Sequence, residues 1–142
     1  MPTRNASAVW EGGLRSGNGR FEGESGKIAA PYSFGSRFGN AGGTNPEELV
    51  AAAEAACYSM ALAGALEGAG KPATRVETRA ACTVEKVGDS FEITSMKLVV
   101  RASVPGIDAA AFQKAAEATK VGCPVSKALK GIRVFELDAA LV

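Results

Sequence analysis

The chain has 142 residues, 16 basic and 15 acidic side chains, and a net charge of +1. This length suits one domain with a substantial core, and the balanced charge gives no general attraction to nucleic acid or to an anionic membrane. Because there is no histidine, Ser-His-Asp and Cys-His mechanisms are excluded, and a nucleophile would need activation by Arg, Lys or local dipoles. The three cysteines lack C-x-x-C spacing, so we expect neither a disulfide scaffold nor a metal site, and no other cofactor. Residues 1–19 do not resemble a signal peptide, which favours a cytoplasmic setting with reduced thiols.

The N-terminal part of the chain predicts a small β-meander. Three short runs between glycine-containing turns have strand-like composition: residues 6–10, 20–22 and 27–29. Residues 31–39 are interpreted as a loop, and it carries the aromatic side chains Tyr32, Phe34 and Phe38.

The next stretch predicts a long helix from Pro46 to about Leu66. Asn45 is a suitable N-cap, Pro46 suits the first helical position, and glycines beyond Leu66 end the helix. From Leu49 to Leu66 the only charged residue is Glu54, so we expect a helix that is buried on nearly every side. The charge of Glu54 and the small, weakly apolar side chains argue against a membrane span.

The second half of the chain predicts two paired strands, two helices and a last strand. Residues 76–84 alternate, whereas the apolar parity changes along the strand from Phe91 to Val104, which indicates a bulge near Thr94 and Ser95. Three further elements follow: a helix at residues 109–120 capped by Asp108, a short helix from Pro124 to near Gly131, and a strand at residues 132–137. The order β-β-β-α-β-β-α-α-β is an α+β pattern in a single domain, 1–142.

Cys57, in the middle of the long helix, is the first candidate for chemistry. A buried cysteine is often only a small hydrophobic residue, and a mid-helix position gains nothing from the helix dipole, so a reactive Cys57 needs a neighbouring cation. The aromatic loop before the helix offers Arg37 as this cation, and Glu47 can orient its guanidinium group. The plainer interpretations are an exposed arginine and a glutamate that only caps the helix.

Glu47 and Cys57 are separated by a helical rise of about 15 Å, so Glu47 does not reach the Cys57 of its own helix. A common site with Arg37 therefore requires that Arg37 bridges the gap, that the helix breaks, or that Glu47 comes from another subunit. A two-fold dimer with antiparallel central helices supplies the third option and also buries the second apolar face of the helix.

The other two thiols have different contexts. Cys123 precedes Pro124 at a predicted helix N-terminus, a position that favours the thiolate, although a simple N-cap explains it equally well. Local rules alone therefore make Cys123 the better thiolate. Cys82 shares a strand face with Val76 and Val84 and is interpreted as a core residue.

Several motifs resemble the OsmC/Ohr family in order and spacing, over essentially the whole chain. Two motifs carry cysteines: NPEEL at residues 45–49 followed by AACYSMAL at 55–62, and GCPVS at 122–126. Three others are similar to the OsmC branch rather than the Ohr branch: WEG at residues 10–12, YSFGSRF at 32–38 and VPGID at 104–108.

The resemblance implies an α+β, OsmC-like fold: an intertwined homodimer in which a long buried central helix packs against antiparallel sheets, with both active sites at the subunit interface. It implies a thiol-dependent peroxidase that reduces organic hydroperoxides and, more weakly, hydrogen peroxide. Cys57 matches the family's peroxidatic cysteine, Cys123 its resolving cysteine, and Arg37 and Glu47 its catalytic arginine and glutamate. An external dithiol, of lipoyl type or a small molecule, reduces the resulting disulfide. Cys82 matches no family residue.

The family assignment of Cys57 as nucleophile is preferred over the local rule for Cys123, because Arg37 lies close in sequence to the Cys57 helix. We also predict an apolar substrate pocket that favours alkyl hydroperoxides, formed by Phe34, Phe38 and Tyr58 or Met60. Two other functions fit the same residues: a thiol redox sensor or carrier without fast turnover, and a non-catalytic dimeric protein that binds an apolar ligand.

Overall fold

A computed structural model describes residues 1–142, which form two compact units, Met1–Glu48 and Leu49–Val142. The first unit contains an antiparallel sheet with the strand order β1-β2-β3: Ala6–Glu11, Asn18–Gly23 and Ala29–Ser33. The predicted meander is confirmed, but its third strand begins later than residue 27 and continues through Pro31. Proline is tolerated there because β3 is an edge strand, where one N–H group has no ladder partner to lose.

A short helix, α1 (Phe34–Phe38), follows β3 directly, so the prediction of a plain loop over residues 31–39 was wrong. The helix begins with a capping box made by two serines. Ser36 N–H donates to Ser33 Oγ at 3.1 Å, and Ser33 N–H donates to Ser36 Oγ at 2.9 Å. Serine takes the place of the glutamate or glutamine that usually completes this motif, which is why the sequence pattern did not reveal it.

The long helix is α2 (Pro46–Gly68), and its predicted start is confirmed. Glu48 N–H donates to Asn45 Oδ1 at 2.8 Å, as expected of an N-cap. At the other end Gly70 adopts a φ of 71°, which lets Lys71 N–H donate back to Leu66 O at 2.9 Å. The helix is continuous, so the option of a break between Glu47 and Cys57 is not realised.

The second unit contains a mixed sheet with the order β4-β5-β6: Arg75–Val87, Ser90–Ser103 and Val134–Leu141. β4 and β5 form the predicted hairpin, and its bulge is confirmed: Thr83 pairs with Ser95 and Val84 with Ile93, which leaves Thr94 as the extra residue. β6 pairs with β5 in parallel, so the expectation of purely antiparallel sheets was wrong. A parallel pair requires a crossover, which the intervening helices supply.

Those helices are α3 (Ala109–Gly122) and α4 (Pro124–Ala128). Asp108 caps α3 as predicted, since its carboxylate accepts from Ala111 N–H at 2.8 Å. α4 ends earlier than the predicted Gly131, and β6 lies closer to the C-terminus than the predicted 132–137. With α1 added, the observed order is β-β-β-α-α-β-β-α-α-β, which remains an α+β arrangement.

One face of α2 belongs to the core of the second unit. Tyr58, Leu62 and Leu66 are spaced four residues apart, are fully buried, and pack with side chains of β5 and α3. The other faces are exposed, and Met60 shows 76% of its surface. The predicted burial on nearly every side is therefore not met within one chain. By length and composition alone, α2 is long and apolar enough to cross a membrane. Core helices of soluble proteins can have the same length and composition.

Candidate functional site

Arg37 and Glu47 form a fork-shaped ion pair in the first unit. Arg37 projects from α1 and donates through Nη2 to Glu47 Oε1 at 2.7 Å and through Nε to both carboxylate oxygens at 3.1 and 3.2 Å. Glu47, in the first turn of α2, is 5% exposed, whereas about a third of the Arg37 side chain is accessible. The predicted pairing is confirmed, and it fixes the plane of the guanidinium group while part of that group stays open.

Two side chains that the sequence analysis did not single out hold this pair in place. Ser36 is buried, and its Oγ donates to Thr44 O at 2.8 Å, so α1 is joined to the segment that leads into α2. Asn45, already the N-cap of α2, donates through Nδ2 to Ser36 O at 3.2 Å. These bonds connect the elements that carry Arg37 and Glu47, and they therefore set the position from which the ion pair acts.

Beside Arg37 lies an aromatic pocket of about 240 Å³. Its lining is mostly apolar: Trp10, Leu14, Tyr32, Ser33, Phe34, Arg37 and Phe38. The Phe34 and Phe38 rings lie 5.1 Å apart between centroids, and the Arg37 guanidinium carbon lies 4.9 Å from the Phe38 ring centre. Of the predicted pocket residues, Phe34 and Phe38 line this cavity and Tyr58 and Met60 do not, whereas Trp10 and Leu14 line it without having been predicted.

Glycine at position 19 makes room for this aromatic wall. In the sheet register Gly19 lies directly between Trp10 and Tyr32, whose ring centroids are 5.4 Å apart. A Cβ atom on Gly19 would come within 2.6 Å of the Tyr32 ring and 2.8 Å of Trp10. The two rings therefore pack across the middle strand because that strand has no side chain there.

The second unit brings Cys57 and Cys123 into direct contact. Their sulfur atoms are 3.0 Å apart, well beyond the covalent S–S length of about 2.05 Å, so the pair is reduced. Cys123 joins two helices: its N–H donates to Thr119 O at 2.8 Å at the end of α3, and its carbonyl accepts from Lys127 N–H at 2.9 Å in α4. Cys123 is 1% exposed, whereas Cys57 is only partly buried.

The N-terminus of α4 bonds to the Cys57 sulfur and not to the Cys123 side chain, where the local rule had placed the effect. Cys123 makes no side-chain capping bond to α4, whereas the Val125 backbone N–H at the start of α4 bonds to the Cys57 sulfur and lowers its pKa. Burial outweighs that bond, and with the hydrogen bond to Cys123 it raises the pKa of Cys57 above its ordinary value. A positive charge near the sulfur would oppose this effect and favour a Cys57 thiolate.

A second contact joins the same two helices. Glu54 is fully buried, and its Oε1 accepts from Ser126 Oγ at 2.6 Å, while Oε2 has no hydrogen-bond partner. Burial raises the pKa of Glu54 despite the opposing effect of the Ser126 hydrogen bond. In the sequence, Glu54 stands out only as the single charge in an apolar helix. That isolation, three residues before Cys57, was the available signal.

The remaining predicted residues have clear positions. Tyr58 is fully buried, and its hydroxyl donates to Ala116 O at 2.8 Å, so it is a core residue and offers no exposed surface to a substrate in this chain. This placement does not support Tyr58 as a pocket residue. Met60 is exposed on α2. Cys82 lies on β4 and packs against the core, as predicted.

The chain is an α+β protein with two small sheets, a long apolar helix and, in its second unit, a pair of contacting thiols. The chain belongs to the OsmC-like family, whose model, described as OsmC-like protein, matches residues 39–137. It is 44% identical to the peroxiredoxin OsmC of Escherichia coli over 128 residues, which cover 89% of this chain and 90% of that protein.

A more distant relative is the organic hydroperoxide resistance protein of Xanthomonas axonopodis pv. citri, 32% identical over 74% of this chain and 71% of that protein. The higher identity to OsmC agrees with the predicted OsmC branch. The fold resembles the crystal structure of the organic hydroperoxide resistance protein OhrB of Bacillus subtilis, with a TM-score of 0.71, 24% identity, and coverage of 97% of this chain and 98% of that chain.

Proposed function

We propose that residues 1–142 act as one OsmC-like domain that reduces organic hydroperoxides to alcohols and, more weakly, reduces hydrogen peroxide. The observation that carries this proposal is the 3.0 Å contact between the reduced sulfur atoms of Cys57 and Cys123. Two thiols at this distance form a disulfide with only a small shift of the sulfur atoms. Peroxide reduction can therefore end in a Cys57–Cys123 disulfide, which a dithiol later cleaves. The names of the two relatives, a peroxiredoxin and an organic hydroperoxide resistance protein, support the same class of reaction.

Cys57 is the proposed peroxidatic cysteine. It is more accessible than Cys123 and receives the Val125 N–H, which favours its thiolate. The thiolate attacks one peroxide oxygen, the O–O bond breaks, and the other oxygen leaves as an alcohol after taking a proton. Cys57 becomes a sulfenic acid.

Arg37 is the proposed cation that stabilises the thiolate and polarises the peroxide. Glu47 holds its guanidinium fork in one orientation, and because that carboxylate is nearly buried, the pair has little freedom to rearrange. Glu47 lies a rise of about 15 Å along α2 from the Cys57 of its own chain. We therefore place the complete site at the interface of a homodimer, where the ion pair of one chain serves the cysteine of its partner.

The exposed side of α2 supports this assembly. It carries small and apolar side chains rather than charges: Ala52, Ala53, Ala56, Met60 and Gly64. Such a surface allows a second α2 helix to approach closely in an antiparallel, two-fold arrangement. This dimer would bury the faces of α2 that remain exposed in a single chain.

Cys123 is the proposed resolving cysteine. Its sulfur displaces the hydroxyl group of the Cys57 sulfenic acid, and the products are a Cys57–Cys123 disulfide and water. An external dithiol, of lipoyl type or a small molecule, reduces this disulfide by thiol exchange and becomes oxidised itself. We place the cycle in the cytoplasm, where thiols are kept reduced.

The aromatic pocket is the proposed site for the alkyl group of the substrate. It joins apolar rings to one guanidinium group, which matches a molecule with an apolar body and a peroxide head. Phe34 and Phe38 are the proposed contacts of the alkyl group. Met60 would contact it only if the dimer interface brings this side chain to the pocket.

The proposal is tested by steady-state consumption of cumene hydroperoxide with dihydrolipoamide or dithiothreitol as reductant. We expect sustained turnover by the wild type and by Cys82→Ser, no turnover by Cys57→Ser, and loss of dithiol-dependent cycling in Cys123→Ser. A single turnover without cycling in the wild type would instead indicate a redox sensor. Two inert thiols in the wild type would indicate a binding protein.

A further inference from the structure

The short helix α4 depends on tertiary contacts for its position. It spans only Pro124–Ala128, and a helix of this length has little stability of its own. Cys123 stands immediately before it, so any movement of α4 changes the distance between the two sulfur atoms. What anchors α4 to α2 therefore controls the geometry of the cysteine pair.

The Glu54–Ser126 hydrogen bond is such an anchor. Glu54 lies one helical turn before Cys57 on α2, and Ser126 lies one turn after Cys123 on α4. The 2.6 Å bond between them therefore runs beside the 3.0 Å sulfur contact, one turn away. Both residues are buried: Glu54 has no exposed surface, and Ser126 is 5% exposed.

Stability alone does not explain a carboxyl group at this position. Glu54 Oε2 is buried without a hydrogen-bond partner, an arrangement that costs free energy that an apolar side chain at the same site would avoid. The sequence places this group in an otherwise uncharged stretch of α2, beside the cysteine pair. This combination of cost and location suggests a functional role.

We propose that Glu54 is a positioning residue for disulfide formation: through its hydrogen bond to Ser126 it holds α4 in the register that keeps Cys123 against Cys57. This inference rests on the proposed two-cysteine cycle and concerns its second step. In that step the Cys123 sulfur forms a bond to the Cys57 sulfur, the S–O bond of the sulfenic acid breaks, and the hydroxyl group leaves as water with the thiol proton. Peroxide attack, the first step, depends on α4 only through the Val125 N–H bond to the Cys57 sulfur, whereas the second step needs the Cys123 sulfur itself in place.

Glu54 also influences Cys57 electrostatically. Burial and the hydrogen bond to Cys123 are the main causes that raise the pKa of Cys57, and the charge of Glu54 raises it further. Burial raises the pKa of the neighbouring Tyr58, and the charges of Glu117, Cys123 and Glu54 raise it further. The titratable groups of this cluster are therefore Glu54, Cys57, Tyr58, Glu117 and Cys123. Replacing Glu54 with glutamine removes the charge but keeps an oxygen that accepts from Ser126.

The test uses the full-length protein and follows two quantities after one equivalent of cumene hydroperoxide: trapped Cys57 sulfenate and the Cys57–Cys123 disulfide. We expect Ser126→Ala to slow disulfide formation by about tenfold, from loss of one hydrogen bond, and to slow sulfenate formation clearly less, because α4 reaches that step only through the Val125 N–H. Ser126→Thr, which keeps the hydroxyl, should restore the rate. Glu54→Gln should keep near-normal disulfide formation and shift the pH profile of Cys57 alkylation to lower pH. Glu67→Gln, on the exposed end of α2, is the matched control and should match the wild type in both quantities.

The outcomes separate this inference from the proposed function. If the wild type forms no disulfide, the two-cysteine cycle fails and the inference fails with it. If the wild type forms the disulfide but Ser126→Ala forms it at the same rate, only the positioning role is overturned. An alkylation profile that Glu54→Gln leaves unmoved would overturn the electrostatic part. If Ser126→Ala does not fold, a slow disulfide step in Glu54→Leu, with sulfenate formation not slowed, supports the positioning role, and a normal disulfide step overturns it.

Discussion

The sulfur atoms of Cys57 and Cys123 lie 3.0 Å apart although the two residues are 66 positions apart in the chain. α2 supplies one thiol from the middle of a helix, and the junction of α3 and α4 supplies the other. Local rules favoured only Cys123, which precedes a helix, and gave no support to Cys57 in the middle of α2. Their contact is the arrangement that the proposed two-cysteine cycle requires.

Arg37 should not be replaceable by lysine. Arg37→Lys keeps the charge but loses the fork that bonds both oxygens of Glu47, so the cation is no longer held in one orientation. We expect the rate of sulfenate formation to fall on the order of a hundredfold, as for loss of one preorganised donor. Stopped-flow measurement with cumene hydroperoxide checks this. Arg20→Lys, at an exposed position on β2, serves as control, and a rate of Arg37→Lys equal to that of this control would exclude the proposed role.

Glu54 should make the stability of the chain depend on pH. Burial raises its pKa in the folded state, so between its unfolded and folded pKa values the folded state binds more protons than the unfolded state. The stability that this group contributes is therefore present at low pH and is lost as the pH rises through that interval. Relative to wild type, Glu54→Gln should gain in free energy of unfolding as the pH rises above the unfolded pKa of glutamate, about 4.3. Urea titrations measure the difference, and a pH-independent difference would count against the argument.

The apolar face of α2 should mediate self-association. Met60→Glu introduces a charge at a position that is 76% exposed in one chain, so folding of the single chain should tolerate it. At a dimer interface the same charge is desolvated, and we expect association to weaken by about a hundredfold or more. Sedimentation velocity on the variant and on a Glu67→Lys control distinguishes the two cases. A monomeric wild type, or a variant that dimerises as tightly as wild type, would contradict the proposed interface.

The aromatic pocket should discriminate between oxidants. Phe34→Ala removes a ring that contacts Phe38, so the alkyl group of cumene hydroperoxide loses apolar contact while hydrogen peroxide loses almost none. We expect kcat/KM to fall by about tenfold for cumene hydroperoxide and much less for hydrogen peroxide. Phe91→Ala in β5 is a control of the same chemical type. Equal losses with both oxidants would show that Phe34 does not select the substrate.

The features that the sequence predicted correctly are those with a local cause. Asn45 and Asp108 cap their helices because their side-chain oxygens reach backbone groups three residues away, and the bulge at Thr94 follows from a parity change within one strand. The pairing of Arg37 with Glu47 was also accessible, because their helices are neighbours in the chain.

The features that the sequence did not reveal depend on distant parts of the chain. The parallel pairing of β6 with β5 and the partner of Glu54 result from how α3 and α4 cross the sheet. Ser36 was missed for a different reason, because serine rarely completes a capping box. The exposure of α2 could not be predicted for another reason. An apolar helix is expected to be buried, but its sequence does not show whether the residues that bury it belong to the same chain or to a second one.

The central claim is that Cys57 reacts with peroxide and Cys123 resolves the product. It is tested most directly by intact mass and non-reducing peptide mapping after one equivalent of cumene hydroperoxide, on wild type, Cys57→Ser and Cys123→Ser. We predict a Cys57–Cys123 disulfide in the wild type, a trapped sulfenate at Cys57 in Cys123→Ser, and no oxidation in Cys57→Ser. A sulfenate at Cys123 in Cys57→Ser, with Cys57 inert in Cys123→Ser, would contradict the account by reversing the two roles.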